Sequence, residues 1–335
     1  MEYRRKLIIL SSLTAVLALA YTLSLIFDPE RSGRRSDSYV WLDPRLRDSI
    51  DRIDIRGAGD SAESLSLWRR NGLWLVLRDG GEYPARETRI NDLLDELSRR
   101  DSYPHRSSSP LSHGHFGLDE ARSARITVRG GAGLPLLELL AGNSGAGGDI
   151  FLRKAGGDEV RSGKDRLSSY LDAQARSWLD LRLFPETENG GITAESVQRL
   201  SVRPAAPENT GDGEPGNPAA PLLISRLQNS WRISAGDLSL EPGDIEKTRV
   251  DSYITGIINT TGEDFTSAAL PPEAASLSLE LADGRVLNLR LGPAGDSGQR
   301  QAAVSGSPYT YILASWAVDR LFREPEYFRR RAGPE

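Results

Sequence analysis

The sequence contains no cysteine. Disulfide bonds, thiolate catalysis and cysteine-ligated metal sites are therefore excluded, because each needs the sulfur of that residue. The absence does not fix the compartment, since many bacterial envelope proteins manage without disulfides. Methionine occurs once and histidine three times in 335 residues. Basic charge is almost all arginine, a bias that we attribute to genome composition, and the lysines are confined to Lys6, Lys154, Lys164 and Lys247.

A strong excess of either charge is also missing. The formal net charge is −5 at pH 7, which excludes a strongly basic surface, so we expect no nucleic-acid partner. Apolar residues make up 38% of the chain, and its 33 glycines and 19 prolines indicate many turns. The length of 335 residues is enough for two domains with a core each.

Residues 7–27 form an uncharged run of 21 residues behind Arg4-Arg5-Lys6. At a rise of about 1.5 Å per residue the run would span about 30 Å, the thickness of a bilayer core. We predict that residues 1–27 form a cytoplasmic tip and a transmembrane anchor in the inner membrane, with the bulk of the chain in the periplasm. The alternative is a cleaved signal peptide, because Ala18-Leu19-Ala20 resembles a cleavage site. The apolar run continues to Phe27, which favours the anchor.

The remainder of the chain contains an internal repeat. A duplication built from packing residues is typical of a scaffold, whereas catalytic polar groups would form an unduplicated cluster. The matching segments are 71–76 with 229–233, 83–84 with 241–242, 89–94 with 249–254, and 136–142 with 286–292.

We predict an α+β fold in which two tandem related modules each have a mainly antiparallel sheet, because the strand-like runs come in hairpin-spaced pairs. A polar spacer, 28–48, precedes a first module over 49–186 and a second over 192–330. The proline- and glycine-rich stretch 204–221 is predicted to be a hairpin loop inserted into the second module, a length that loop-closure entropy tolerates. One amphipathic helix in each module has its apolar residues on one stripe. These residues are Ile90, Leu93, Leu94 and Leu97 in the first, and Val250, Tyr253, Ile254 and Ile257 in the second.

Each module is predicted to end in a helix, the first through Leu167, Tyr170 and Leu171 and the second over 316–328. Tryptophans recur in the repeat. Trp74 and Trp231 share one strand position, which predicts core anchors. For Trp178 and Trp316, near the module ends, packing and contact with a partner both remain open.

The polar motifs give no catalytic, cofactor or metal-binding prediction. His113 and His115 could chelate a metal with Asp119, but the matching segment 268–272 has no histidine, so we favour a solvated loop. The stretch 156–165 resembles a phosphate loop, yet five residues separate Gly157 from Gly163, and Asp165 stands where Ser or Thr would bind magnesium. We interpret it, like 142–148, as a turn between strands. The carboxylates Asp92, Asp95 and Glu96 are predicted to lie on the solvated side of a helix.

Short motifs follow the anchor in a characteristic order. They are Gly72-Leu73-Trp74, Tyr83-Pro84-Ala85, Phe116-Gly117-Leu118-Asp119, Leu139-Leu140-Ala141-Gly142 and Trp178-Leu179-Asp180-Leu181-Arg182. This order resembles family 4340 of the domains of unknown function. The resemblance implies a membrane-anchored extracytoplasmic protein, typically encoded beside a gliding-motility-type ABC exporter with an ATPase, a permease and an auxiliary subunit. The family has no established activity, so the resemblance supplies no catalytic residues.

The leading hypothesis is therefore a non-enzymatic accessory subunit of an ABC-type exporter, in contact with its permease and auxiliary subunits. Contact could run through exposed sheet edges or through small residues of the anchor helix. Those residues are Ser11, Ser12, Thr14, Ala15 and Ala18. The alternatives are an envelope enzyme or ligand-binding protein with a site between the modules, and a structural envelope protein without a transport role.

Overall fold

The chain divides after Leu179 into two compact units, each built on one nine-stranded sheet. The predicted anchor, 7–27, lies outside the described residues. In the part of the chain that is described, no helix combines the length and the apolar character that a membrane crossing requires. The structure is a computed structural model that describes residues 37–59, 63–145, 147–185, 191–205 and 220–330.

The first unit arranges its large sheet in the order β5-β4-β3-β2-β8-β9-β10-β11-β7, and a separate pair joins β1 to β6. Every pairing is antiparallel. The elements are β1 (Ser38–Tyr39), a 3₁₀ helix (Pro44–Ser49), β2 (Ile50–Arg56), β3 (Ser64–Arg70), β4 (Leu73–Arg78), β5 (Gly81–Pro84), α1 (Glu87–Ser98), β6 (Asp101–Ser102), β7 (His105–Ser107), β8 (Ala124–Gly130), β9 (Leu134–Gly145), β10 (Asp149–Lys154) and β11 (Val160–Lys164).

The second unit has the sheet order β15-β14-β13-β12-β17-β18-β19-β20-β16, which repeats that of the first large sheet strand by strand. The elements are β12 (Val197–Arg203), β13 (Leu222–Leu227), β14 (Ser230–Ala235), β15 (Leu238–Leu240), α2 (Lys247–Ile258), β16 (Asp264–Thr266), β17 (Ala275–Leu281), β18 (Val286–Ala294), β19 (Arg300–Val304), β20 (Thr310–Leu313), α3 (Ser315–Leu321) and a 3₁₀ helix (Pro325–Phe328).

The strand registers reproduce the sequence repeat residue by residue. Ile53 pairs with both Leu67 and Val128, and its counterpart Leu200 pairs in the same way with Ile224 and Leu279. The predicted α+β fold with two related, mainly antiparallel sheets is confirmed. β12 and β13 are paired neighbours, so the stretch 204–221 joins two strands of one hairpin, although 206–219 lie outside the described residues.

The core of each unit lies between its sheet and its long helix. All apolar residues predicted for the helix stripes are buried, because a period near 3.6 residues places them on one side. Trp74 and Trp231 are buried on β4 and β14, which confirms them as core anchors.

The predicted polar spacer is folded in its second half. β1 pairs with β6, and Trp41 and Leu42 are 4% and 1% exposed. The aromatic and aliphatic side chains of Val40-Trp41-Leu42 give this polar stretch enough apolar surface to pack on the first unit.

The predicted terminal helices are much shorter than expected. The helix through Leu167, Tyr170 and Leu171 is a single 3₁₀ turn, Ser168–Tyr170. The helix over 316–328 ends at Leu321, and Pro325 begins a separate 3₁₀ turn. Proline disfavours a helical conformation in the residue before it, which accounts for the break.

The segment after Leu179 belongs to the second unit. The N–H of Leu183 donates to the carbonyl of Thr260, and the carbonyl of Leu181 accepts from the N–H of Gly262. The sequence placed these residues in the first module, because the charged and glycine-rich stretch 185–191 was predicted to be the joint between the modules.

Candidate functional site

The two histidines of the proposed chelate lie at the surface of the first unit. His113 Nε2 is 3.3 Å from the carbonyl oxygen of Asp158, and Asp119 pairs with Arg122 at 3.3 Å. Within the described ranges, no three His, Asp or Glu side chains are grouped as metal ligands would be. The structure therefore places Asp119 in an ion pair and His113 beside a backbone carbonyl.

The segment around these histidines closes a small second core on the far side of the first sheet. Phe116 and Leu118 pack with Leu140, Phe151 and Val160. The backbone of the segment joins the sheet directly, since the N–H of Asn143 donates to the carbonyl of Phe116 at 2.9 Å. The motif Phe116-Gly117-Leu118-Asp119 is thus a packing motif.

A buried arginine fastens this segment to the neighbouring hairpin. Arg153, 3% exposed, donates to the carbonyl of Gly157 at 2.6 Å and to that of Leu118 at 3.0 Å. Its guanidinium also lies 3.5 Å from Glu120. The N–H of Gly156 donates to Glu120, and this bond, together with the guanidinium of Arg153, lowers the pKa of the Glu120 carboxyl. Sequence reasoning missed Arg153, because its partners are backbone carbonyls.

The stretch that resembles a phosphate loop is the β10–β11 hairpin. Its last residues, Val160–Lys164, form β11, and a side chain at Gly163 would lie 2.5 Å from the ring of Tyr103. Gly163 is therefore required for aromatic packing. The other glycine-rich stretch, 142–148, contains the turn between β9 and β10.

The helix carboxylates divide into two environments. Asp92 and Asp95 are exposed, as predicted. Glu96 is 7% exposed and lies 3.2 Å from Arg99 and 3.9 Å from Arg166. The prediction that Glu96 is solvated was wrong, because an arginine distant in sequence covers it.

The two tryptophans near the module ends differ in exposure. Trp178 is 0% exposed, its carbonyl accepts the N–H of Arg86 at 2.7 Å, and the guanidinium of Arg89 lies 4.6 Å from its ring centroid. Trp178 is thus a packing residue. Trp316 is 56% exposed, which leaves it available for contact with a partner.

Trp316 borders a groove of about 270 Å³ on the second unit. We call it the Trp316 groove and define it by Ser252, Thr255, Asn259, Thr260, Trp316 and Arg320. Its walls are the outer face of α2, the residues that follow α2, and the outer face of α3.

The core fixes the direction of these side chains. α3 buries Ala317, Val318 and Leu321, so Trp316 and Arg320, one turn apart, lie on the opposite side. The guanidinium of Arg320 lies 6.0 Å from the Trp316 ring centroid, within the range of a cation–π contact.

The two helices that form the groove are joined by a buried hydrogen bond. The hydroxyl of Tyr253 on α2 donates to the carbonyl of Leu321 on α3 at 2.5 Å. Burial of this hydroxyl raises the pKa of Tyr253 well above its usual value. This hydrogen bond joins the two helices that form the walls of the groove.

The groove offers a flat ring, a cation and several hydroxyl oxygens. Thr255 and Thr260 donate their hydroxyl protons to backbone carbonyls at 2.8 and 2.9 Å, so their oxygens remain available as acceptors. Arg320 forms no ion pair with any other described residue. When β11 is aligned with β20 by strand register, Arg166 of the first unit is equivalent to Trp316 of the second. Arg166 contacts Glu96 and Asp101. The exposed tryptophan of the groove thus has no counterpart at the equivalent position of the first unit.

Neither a curated protein nor a solved structure matches the chain. The profile of one protein family matches residues 74–278, from the start of β4 into β17. The match covers parts of both units and more than half of the sequence, and the motifs at Trp74, Gly117 and Gly142 fall within it. The chain therefore belongs to DUF4340, a family of domains of unknown function.

Proposed function

We propose that the protein is a non-enzymatic, membrane-anchored accessory subunit of an ABC-type export system that acts through protein–protein contacts outside the cytoplasm. The observation that carries the proposal is the Trp316 groove of the second unit. There an exposed tryptophan lies beside an arginine that has no acidic partner among the described residues. Tryptophan and arginine are enriched among the residues that dominate binding energy at interfaces. An unduplicated surface on a duplicated scaffold is a candidate for recognition.

The sheet edges are less suited to partner binding than the groove. The edge strands β7, β15 and β16 have three residues each, and β5 has four and ends in Pro84. Short edges and an edge proline disfavour addition of a partner strand. Side-chain recognition in the Trp316 groove is the better supported mode. A complementary partner would present a carboxylate to Arg320 and a flat or apolar group to Trp316.

The anchor supplies the second contact in this proposal. Residues 7–27 would cross the inner membrane once and hold residues 28–335 in the periplasm, and the small residues at 11–18 would permit close packing against permease helices. The proposed partners are the permease and the auxiliary subunit of the exporter, as family resemblance implies. ATP hydrolysis would belong to a further subunit.

A pull-down from the native membrane in mild detergent tests the proposal. The bait is the tagged full-length protein, compared with the Trp316→Ala variant and with Leu111→Ala, which removes a 96% exposed side chain from the first unit. We expect wild type and Leu111→Ala to recover an ATPase, a permease and an auxiliary subunit, and Trp316→Ala to recover at least about tenfold less, the loss of roughly 1.4 kcal/mol or more.

Two outcomes would count against it, in different ways. Equal recovery with Trp316→Ala would remove the groove from the interface. Recovery of no transporter subunit with a folded, membrane-bound wild type would overturn the accessory role itself.

A further inference from the structure

The first unit carries a cavity of about 670 Å³ beside the point where the described chain begins. The lining includes three cations from distant parts of the chain, Arg45, Arg100 and Lys154. It also has an apolar wall, formed by the side chains of Val40, Leu46 and Leu136. We call it the entry cavity. A cavity that combines several cations with an apolar wall is suited to an anionic amphiphile.

The charge of the entry cavity is not balanced by the residues around it. Among the described lining residues Asp43 alone is acidic. It accepts the backbone N–H of Arg45 at 2.9 Å and so caps a 3₁₀ helix. Within the described part of the chain, Arg45, Arg100 and Lys154 form no ion pair. The ammonium of Lys154 lies 5.6 Å from the ring centroid of Tyr39. The described lining thus has three cations and one anion.

The duplication provides an internal comparison. Lys154 pairs with Leu139 in the first sheet, and Val304 pairs with Leu289 at the corresponding place in the second. The second unit therefore has an apolar residue where the first has a lysine. The apolar wall residue Leu136 is matched by another aliphatic residue, Val286. The lysine at this position is thus a property of the first unit, the one that directly follows the predicted anchor.

The cavity lies close in sequence to the predicted anchor and therefore near the membrane that holds it. This placement rests on the anchor of the proposed function. Nine residues, 28–36, separate Phe27, the last residue of the anchor, from Asp37, where the described structure begins. A fully extended chain advances at most about 3.6 Å per residue, so this connection reaches about 36 Å. Tyr39, which is partly exposed, lies beside Lys154 of the cavity. Tyrosine is enriched at the membrane–water interface.

We infer that the entry cavity binds the headgroup of an anionic phospholipid of the membrane that holds the anchor. The phosphate would contact Arg45, Arg100 and Lys154, since each cation near an anionic membrane surface adds attraction. The glycerol and the first acyl carbons would lie against Val40, Leu46 and Leu136. Binding would hold the first unit against the membrane surface in one orientation.

The scarcity of lysine makes a site-resolved test possible. The full-length protein is placed in nanodiscs of phosphatidylcholine alone, or of phosphatidylcholine with phosphatidylglycerol, and its lysines are acetylated and read out by mass spectrometry. In the anionic discs we expect acetylation of Lys154 to fall about fivefold. Lys164 and Lys247, with side chains 67% and 53% exposed, should react equally in both discs. Equal reactivity of Lys154 in the two discs would overturn the inference.

Matched variants test the charges that the inference names. In the double variant Arg45→Gln/Arg100→Gln the protection of Lys154 should be lost. It should persist in Arg199→Gln/Arg203→Gln, which removes two surface arginines of the second unit that pair with Glu280 and Glu273. Because Arg45 and Arg100 are exposed, thermal unfolding of the first variant should match wild type. Protection that survives Arg45→Gln/Arg100→Gln would contradict the assignment of the cavity.

A final control experiment distinguishes a lipid headgroup from free phosphate. It also distinguishes failure of this inference from failure of the proposed function. Inorganic phosphate added to phosphatidylcholine discs should leave Lys154 reactive. If phosphate protected Lys154 as well as phosphatidylglycerol does, the ligand of the cavity would be a soluble anion and not a lipid headgroup. Failure of the chain to co-elute with the discs would overturn the anchor and the inference together. Co-elution and transporter capture without lipid-dependent protection would overturn the inference alone.

Discussion

The carbonyl oxygen of Phe116 lies directly against the Cα of Gly142, where a side-chain carbon would clash with it. We expect Gly142→Ala to lower the free energy of unfolding by about 3 kcal/mol, because the Phe116 segment would have to leave the sheet. Urea unfolding of the purified protein measures the change. Gly131→Ala is the control, since a Cβ there meets nothing within 4 Å. A Gly142→Ala variant as stable as Gly131→Ala would contradict the close approach.

Removal of the buried guanidinium should destabilise the same region. Arg153→Met leaves the carbonyls of Leu118 and Gly157 without a donor, and we expect a loss of about 2–3 kcal/mol. The matched variant Arg122→Met removes a side chain that is 64% exposed and pairs with Asp119, and should cost less than about 1 kcal/mol. Thermal unfolding of both variants compares them, and similar melting temperatures would argue against a structural role for Arg153.

The two tryptophans near the unit ends should respond in opposite ways to truncation. Trp178→Ala removes a fully buried ring and should cost about 3–5 kcal/mol. Trp316→Ala removes an exposed one and should change stability by less than about 0.5 kcal/mol. Chemical denaturation gives both values. A large loss of stability for Trp316→Ala would mean that this ring supports the fold, and the pull-down with that variant would then report on folding.

Stability should fall at alkaline pH. Burial raises the pKa of Tyr103, Tyr170, Tyr253 and Tyr311. An unfolded tyrosine loses its proton near pH 10, while the folded group keeps it to higher pH. The unfolded chain therefore binds fewer protons above about pH 10, and the free energy of unfolding falls as pH rises. For a buried group such as Tyr253 the fall is up to about 1.4 kcal/mol per pH unit.

Tyr253→Phe isolates one of these groups. The variant loses the hydrogen bond to Leu321, about 1 kcal/mol at pH 8. It also loses the alkaline dependence of Tyr253, so the difference from wild type should shrink or reverse by pH 11. Urea unfolding at the two pH values gives the comparison. Stability curves that stay parallel from pH 8 to pH 11 would show that Tyr253 does not contribute to the dependence.

The sequence was sufficient to predict two related, mainly antiparallel sheets, because packing residues were duplicated with their spacing intact. Leu200 and Val202 occupy the register of Ile53 and Ile55, and the helix stripes identified the buried face of α1 and α2. Short elements gave no such signal. β1 has two residues, too few for alternation to be recognised.

The candidate sites depend on side chains that the sequence separates. Glu96 is buried by Arg166, and the cations of the entry cavity span residues 45 to 154. No local pattern brings such residues together. The sequence did indicate that Trp316 is exposed, since Ala317, Val318 and Leu321 form an apolar stripe on the helix to which Trp316 does not belong. From the sequence alone, both packing and partner contact remained open for Trp316.

The shared strand order has a consequence for how the chain folds. Each unit closes its sheet by pairing its first long strand with one that arrives more than 70 residues later, Ile53 with Val128 and Leu200 with Leu279. Before it closes, each sheet has an open edge that could pair with the equivalent strand of the other unit, β8 or β17. Such mispairing is a typical failure of tandem homologous domains. All strands of the first sheet precede residue 180. Synthesis from the amino end therefore lets that sheet close before the competing strand β17 has been made.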